Sequence, residues 1–79
     1  MYEIGDAVIT KDGYLAIIVF CNKKFAEVLY SDGCLDMINT EDIIEKTENN
    51  YRNSILKYRE VIEELFGHPY NDYLETKYF

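Results

Sequence analysis

The stretch Gly13-Tyr14-Leu15-Ala16-Ile17-Ile18-Val19-Phe20-Cys21 is apolar on both of its alternating faces, and no other stretch of the chain is. The run is far shorter than the roughly 20 residues of a membrane-spanning helix, and its β-branched and aromatic residues suit a pleated strand. Successive strand side chains point to opposite sides, which places Leu15, Ile17 and Val19 on one face and Ala16, Ile18 and Phe20 on the other. A half-exposed strand would alternate apolar with polar residues. This one therefore predicts a central position, with the rest of a small sheet covering one face and a separate element covering the other.

Shorter patterns flank it. Ala7-Val8-Ile9-Thr10 reads as a first strand that ends at Lys11-Asp12-Gly13, where Gly supplies the positive φ of a tight turn. Asn22-Lys23-Lys24 makes the next turn. The third strand, Phe25-Ala26-Glu27-Val28-Leu29-Tyr30, puts Ala26, Val28 and Tyr30 on one face and Phe25, Glu27 and Leu29 on the other. Ser31-Asp32-Gly33 repeats the turn chemistry, and Cys34-Leu35-Asp36-Met37-Ile38 alternates as an edge strand does. Asn39-Thr40-Glu41-Asp42 predicts a helical-turn entry capped by Thr40, and residues 43–47 then read either as one helical turn or, in preference, as a short turn leading into a fifth strand.

The expected fold class is α+β: a small antiparallel meander sheet or a Src-homology-3-like barrel, followed by a C-terminal helix. The barrel alternative rests on Ile4-Gly5-Asp6-x-Val8, then Asp12-Gly13 before the apolar strand, Val28-x-Tyr30-x-Asp32-Gly33 and Glu41-Asp42-Ile43. These resemble the Src-homology-3-like barrel in its Tudor and KOW-type forms over residues 2–47. Ala16 stands where a KOW-type segment usually has a second Gly, and the Arg and Lys of nucleic-acid-binding members are missing. The aromatic cage with which Tudor domains read methylated side chains is not identifiable. Tyr14, Phe25 and Tyr30 are the aromatics it would draw on, and at strand positions they are expected in the core.

Asn49 or Asn50 is placed to cap a helix running to about Phe66, with Gly67 as its stop and Pro69 beyond. Tyr51, Ile55, Tyr58, Ile62 and Leu65 recur at helical spacing, and Val61 and Phe66 widen the stripe. The stripe is the natural cover for the second face of the central strand; the competing expectation is a homodimer through the 51–66 helix. Residues 67–79 form an aromatic tail that folds back on the chain or meets a partner, with Tyr70, Tyr73 and Tyr78 as its candidate contacts.

Composition narrows the function. The 79 residues make a single domain, and at that size only about 60 to 65 per cent of the unfolded surface is buried on folding. Cys21 and Cys34 lie in strand-like contexts and are expected as ordinary buried or half-buried free thiols, a disulfide being open only if their strands pair. The amino terminus has neither the basic region nor the apolar run of a secretory signal, so a reducing, cytoplasmic setting is expected. Fifteen acids against 8 bases give a net charge of −7, much of it local: Glu41, Asp42, Glu45 and Glu48 face a single base, Lys46. Such a surface repels phosphate, which disfavours direct nucleic-acid binding, although Lys11, Lys23 and Lys24 lie in turns that could form a small basic corner.

Catalytic groups do not assemble. The single histidine, His68, falls after a helix stop and before a proline, and reads as a polar loop residue rather than a general base. Glu60 and Glu64, one turn apart, lack the further ligands of a metal site and read as a solvated helix face. Neither Asp-Gly leads into a Gly-rich run and a helix, so neither is a phosphate loop. No enzyme, cofactor or metal is expected.

The expected function is a non-catalytic, acidic protein-binding module that meets a basic nucleic-acid-binding partner. Its partner-binding residues are Glu41, Asp42, Glu45, Glu48, Tyr70, Tyr73 and Tyr78. A pointed version is an inhibitor of a nucleic-acid-handling protein, of the kind that phages encode as anti-CRISPR or anti-restriction proteins. The alternatives are a nucleic-acid-binding accessory protein and a self-assembling structural subunit.

Overall fold

The Asp-Gly turns reverse the chain in one way, twice. At the first, the Thr10 amide donates to the Tyr14 carbonyl at 2.9 Å and the Gly13 amide to the Thr10 carbonyl at 2.8 Å. At the second, the Tyr30 amide donates to the Cys34 carbonyl at 2.9 Å and the Gly33 amide to the Tyr30 carbonyl at 3.0 Å. Gly13 and Gly33 take φ of 85° and 87°, where a Cβ is strained. Between them, Asn22 turns the chain with its side chain, its Oδ1 accepting from the Lys24 and Phe25 amides at 2.8 Å each.

The computed structural model describes residues 1–67. These turns link β1 (Asp6–Thr10), β2 (Leu15–Cys21), β3 (Phe25–Tyr30) and β4 (Leu35–Asn39) as an antiparallel meander. A 3-10 turn (Thr40–Asp42) leads into β5 (Ile43–Asn50), which returns to pair with β1, and α1 (Arg52–Phe66) follows. The sheet order is β4-β3-β2-β1-β5, so β2 is central as its two apolar faces require. Of the two expected architectures it is the meander: β4 and β5 are edges and the sheet is not closed into a barrel. The fifth strand runs three residues beyond the expected Thr47, its register against β1 broken between Asp6 and Val8 and between Ile9 and Thr10.

One face of the sheet carries a core of its own. Val8, Ala16, Ile18, Ala26, Val28 and Ile43 form its core, with Tyr2, Cys21, Tyr30 and Ile38 packed around them. The other face is covered by α1. Fully buried Val19 meets Ile55, and Ile17, Phe20, Leu29, Leu35 and Met37 from the sheet and Tyr58 and Ile62 from the helix pack around that pair. The inner part of the helical stripe thus lies on its own sheet, while Tyr51, Val61 and Leu65 remain exposed.

Two local expectations need correction. Phe20 lies on the helix-covered face with Val19, not with Ala16 and Ile18, because β2 carries a bulge: Ile18 pairs with Val28 and Phe20 with Glu27, leaving Val19 as the extra residue. The shift carries Cys21 to the Val8 face. Thr40 does not cap the 3-10 turn, whose N-cap position is Asn39; its hydroxyl instead donates to the Lys23 and Lys24 carbonyls at 3.0 and 3.3 Å.

The opening Ile4-Gly5-Asp6 motif acts as a latch. Gly5, at φ 92°, donates its amide to the Ile18 carbonyl and accepts the Tyr51 amide, each at 2.7 Å. The buried Asp6 carboxylate accepts from the Glu3 amide on one oxygen and from Asn50 Nδ2 on the other, each at 2.8 Å. Asn50 Oδ1 in turn accepts the Arg52 amide at 2.9 Å. The helix therefore begins at Arg52 with Tyr51 in the N-cap position, and Asn50 serves its first amide from one residue earlier. Gly67, at φ 68°, ends it as expected, its amide on the Glu63 carbonyl.

Candidate functional site

The acidic segment occupies one edge of the sheet. Glu45 on β5 pairs in register with Ile9, and Glu45, Glu48 and Glu41 of the 3-10 turn are all exposed. Asp42 differs, lying 3.5 Å from the Lys11 ammonium in an ion pair. The four acids are thus brought to one side of the molecule, with Asp42 already partnered. Tyr70, Tyr73 and Tyr78, and with them His68, lie outside the described residues.

The supposed basic corner carries its own counter-charge. The 3-10 turn is held on both sides, its Thr40 amide on the Lys24 carbonyl and its Asp42 carbonyl on the Lys11 amide, each at 2.8 Å. The turns that carry Lys11, Lys23 and Lys24 therefore flank the 3-10 turn that carries Glu41 and Asp42.

The opposite edge is built differently. β4 pairs with β3 without a register break, from Phe25↔Asn39 to Leu29↔Leu35. In an antiparallel ladder, residues directed at the neighbour alternate with residues directed away. The Tyr30 amide reaches Cys34 and the Thr40 amide reaches Lys24, which fixes the phase: residues 34, 36, 38 and 40 address β3. The backbone groups of Leu35, Met37 and Asn39 consequently point out of the sheet. Met37 confirms it, since its amide donates to the Asp36 side chain at 2.9 Å and not to β3.

Beside the start of β4 a groove of about 550 Å3 opens between the two Asp-Gly turns, lined by Asp12, Tyr14, Leu15, Tyr30, Asp32 and Asp36. Tyr14, expected in the core, is 63 % exposed, and its ring meets that of Tyr30 edge-on at a centroid distance of 6.2 Å. Burial raises the Tyr30 hydroxyl above the ordinary phenol range, and the charges of Asp36, Asp12 and Asp32 raise it further. Among the described residues none of these three carboxylates has a cationic partner. They do not converge as metal ligands either: no group of three or more His, Cys, Asp or Glu among the described residues could hold a metal ion.

Both thiols are free. Cys21, half-buried, donates to the Tyr2 carbonyl at 3.4 Å beside a groove of about 680 Å3. Burial pushes its pKa up, with Asp6 and Glu3 adding to the effect. Cys34, expected buried or half-buried, is exposed because it falls in the turn just before β4, and its pKa is raised chiefly by its hydrogen bond to Asp32. Both are held away from the thiolate that nucleophilic chemistry uses. Glu27 is fully buried on the face covered by α1, in register with Phe20 and Met37.

The acidic segment and the edge position of β4 were visible in the sequence; the phase of the outward backbone groups of β4 and the groove beside it were not. The repeated Asp-Gly turns were their one signal, since two like turns of a meander brought to one end of the sheet set Asp12 and Asp32 near each other. No helix among the described residues is long and apolar enough to cross a membrane. Compared with protein-family models, with curated proteins and with solved structures, the chain matches none.

Proposed function

We propose that this protein is a non-catalytic binding module for a basic protein partner, and that the partner is a nucleic-acid-handling protein whose phosphate-binding surface it occupies. The carrying observation is the exposure of Glu41, Glu45 and Glu48 along one side, without ion-pair partners among the described residues. Carboxylates set against a basic surface accelerate encounter and fix orientation. An inhibitor of anti-CRISPR or anti-restriction type works by this physics. The pairing of Lys11 with Asp42 speaks against the nucleic-acid-binding alternative, because it withdraws a cation that phosphate would need.

The test is affinity capture from a cell lysate with the purified protein as bait, washed at low and at high salt, followed by the Glu41→Gln, Glu45→Gln, Glu48→Gln triple variant. A basic nucleic-acid-binding protein retained at low salt, released at high salt and held at least about tenfold more weakly by the variant supports the reading. Retention that is indifferent to both salt and the amides defeats it.

A further inference from the structure

We infer that β4 is a docking edge for an extended basic segment of a protein partner, which adds to the sheet as a sixth strand and places an arginine or lysine side chain against the Asp36 end of the Tyr14–Tyr30 groove. The inference rests on the proposed function, whose basic partner it accepts, but it names a different surface from the β5 carboxylates.

Three observations converge on it. The first is the contrast between the two edges. β5 carries the usual protections of an exposed edge: two breaks of register, the charged side chains Glu45, Lys46 and Glu48, and Ile44 left without a partner opposite it. β4 has an unbroken register and a single charged residue, Asp36, among Leu35, Met37, Ile38 and Asn39. The second is the row of outward backbone groups at Leu35, Met37 and Asn39, the pattern a new strand requires. The third is charge. Asp36, in register with Val28, shares its side of the sheet with Tyr30, and it lines the groove with Asp12 and Asp32. A residue opposite Asp36 on an added strand would sit beside an uncompensated carboxylate, with two more carboxylates and two tyrosine rings beyond it.

Asp36 links the backbone and side-chain parts. Its Oδ1 now accepts the Met37 amide, standing in for the carbonyl of an absent neighbour. An incoming strand supplies that carbonyl, and the released carboxylate is then available to the basic side chain opposite. A second copy of this chain fits the edge less well, because it would bring another −7 charge to the same surface.

The experiment uses a short, capped peptide of alternating arginine and valine as the probe, with a threonine-valine peptide as control. Binding is read by fluorescence anisotropy, and its place by amide hydrogen exchange with NMR detection. The arginine peptide is expected to protect the Leu35, Met37 and Asn39 amides and leave β5 unchanged. Met37→Pro is expected to weaken it at least about tenfold, since proline removes the outward amide while leaving the bonds to β3. Protection of Asp36 and Ile38 reports whether that variant keeps its β3–β4 ladder; Asp36→Asn, which leaves the backbone alone, is expected to weaken the arginine peptide several-fold and flatten its salt dependence. Equal binding of the threonine peptide, protection appearing only at β5, or a self-associated protein whose dimer Met37→Pro dissolves would each overturn the inference. Binding at β5 alone would leave the proposed function standing, whereas no binding of the arginine peptide at any site would count against both.

Discussion

Gly5 is the residue with least freedom to change. Its positive φ already disfavours any side chain, and a Cβ built there would lie 2.3 Å from the Arg52 nitrogen and 2.5 Å from its Cα. Those are backbone atoms of the strand-to-helix junction, so no rotamer change relieves the contact. Gly5→Ala is expected to destabilise the fold by about 3 kcal/mol or more, combining backbone strain with overpacking. The urea midpoint measures it; Gly33→Ala is the control, with a similar φ of 87° but nothing within 4 Å of the added methyl. If the two variants lose the same stability, strain alone accounts for Gly5 and the close junction is irrelevant. The Ile4-Gly5-Asp6 motif thus serves this fold as the latch it forms with Asn50, Tyr51 and Arg52.

At the scale of elements, α1 is an integral layer. Ile55 is 4 % exposed and meets Val19, so Ile55→Ala removes a buried side chain at a site closed by strands on one side. A loss of about 2–5 kcal/mol is expected by thermal or chemical denaturation, against a much smaller change for Leu65→Ala, which is 74 % exposed. A variant Ile55→Ala as stable as the parent would mean that the helix contributes little to the fold. The helix was legible because its stripe, its stop at Gly67 and the uncovered face of β2 all required one another. The strands were legible from turn chemistry. The bulge at Val19 was not, because in a run apolar on every residue a one-residue slip leaves no trace in the pattern. Phe20 was therefore expected on the wrong face. The groove escaped for a related reason: a strand-end tyrosine looks the same in sequence whether it turns inward or, as Tyr14 does, out beside Tyr30.

For the whole molecule, charge sets the response to salt. Two groups of carboxylates stand out, Glu41, Glu45 and Glu48 beside β5 and Asp12, Asp32 and Asp36 around the groove, while the ion pair Lys11–Asp42 is small and partly exposed. Folding brings these like charges nearer than the open chain holds them, so self-repulsion opposes the native state and salt relieves it. Raising ionic strength from low to physiological is expected to stabilise the fold by roughly 0.5 kcal/mol, about 2–4 °C in Tm for a chain of this size. The same salt weakens capture of a basic partner, so stability and binding should move in opposite directions across one titration. Glu45→Gln with Glu48→Gln should flatten both trends, because it removes the charges responsible for each. A Tm that falls as salt is added would show that favourable pairs outweigh the repulsion, and the acidic edge would then be part of what holds the fold together rather than a surface kept charged for a partner.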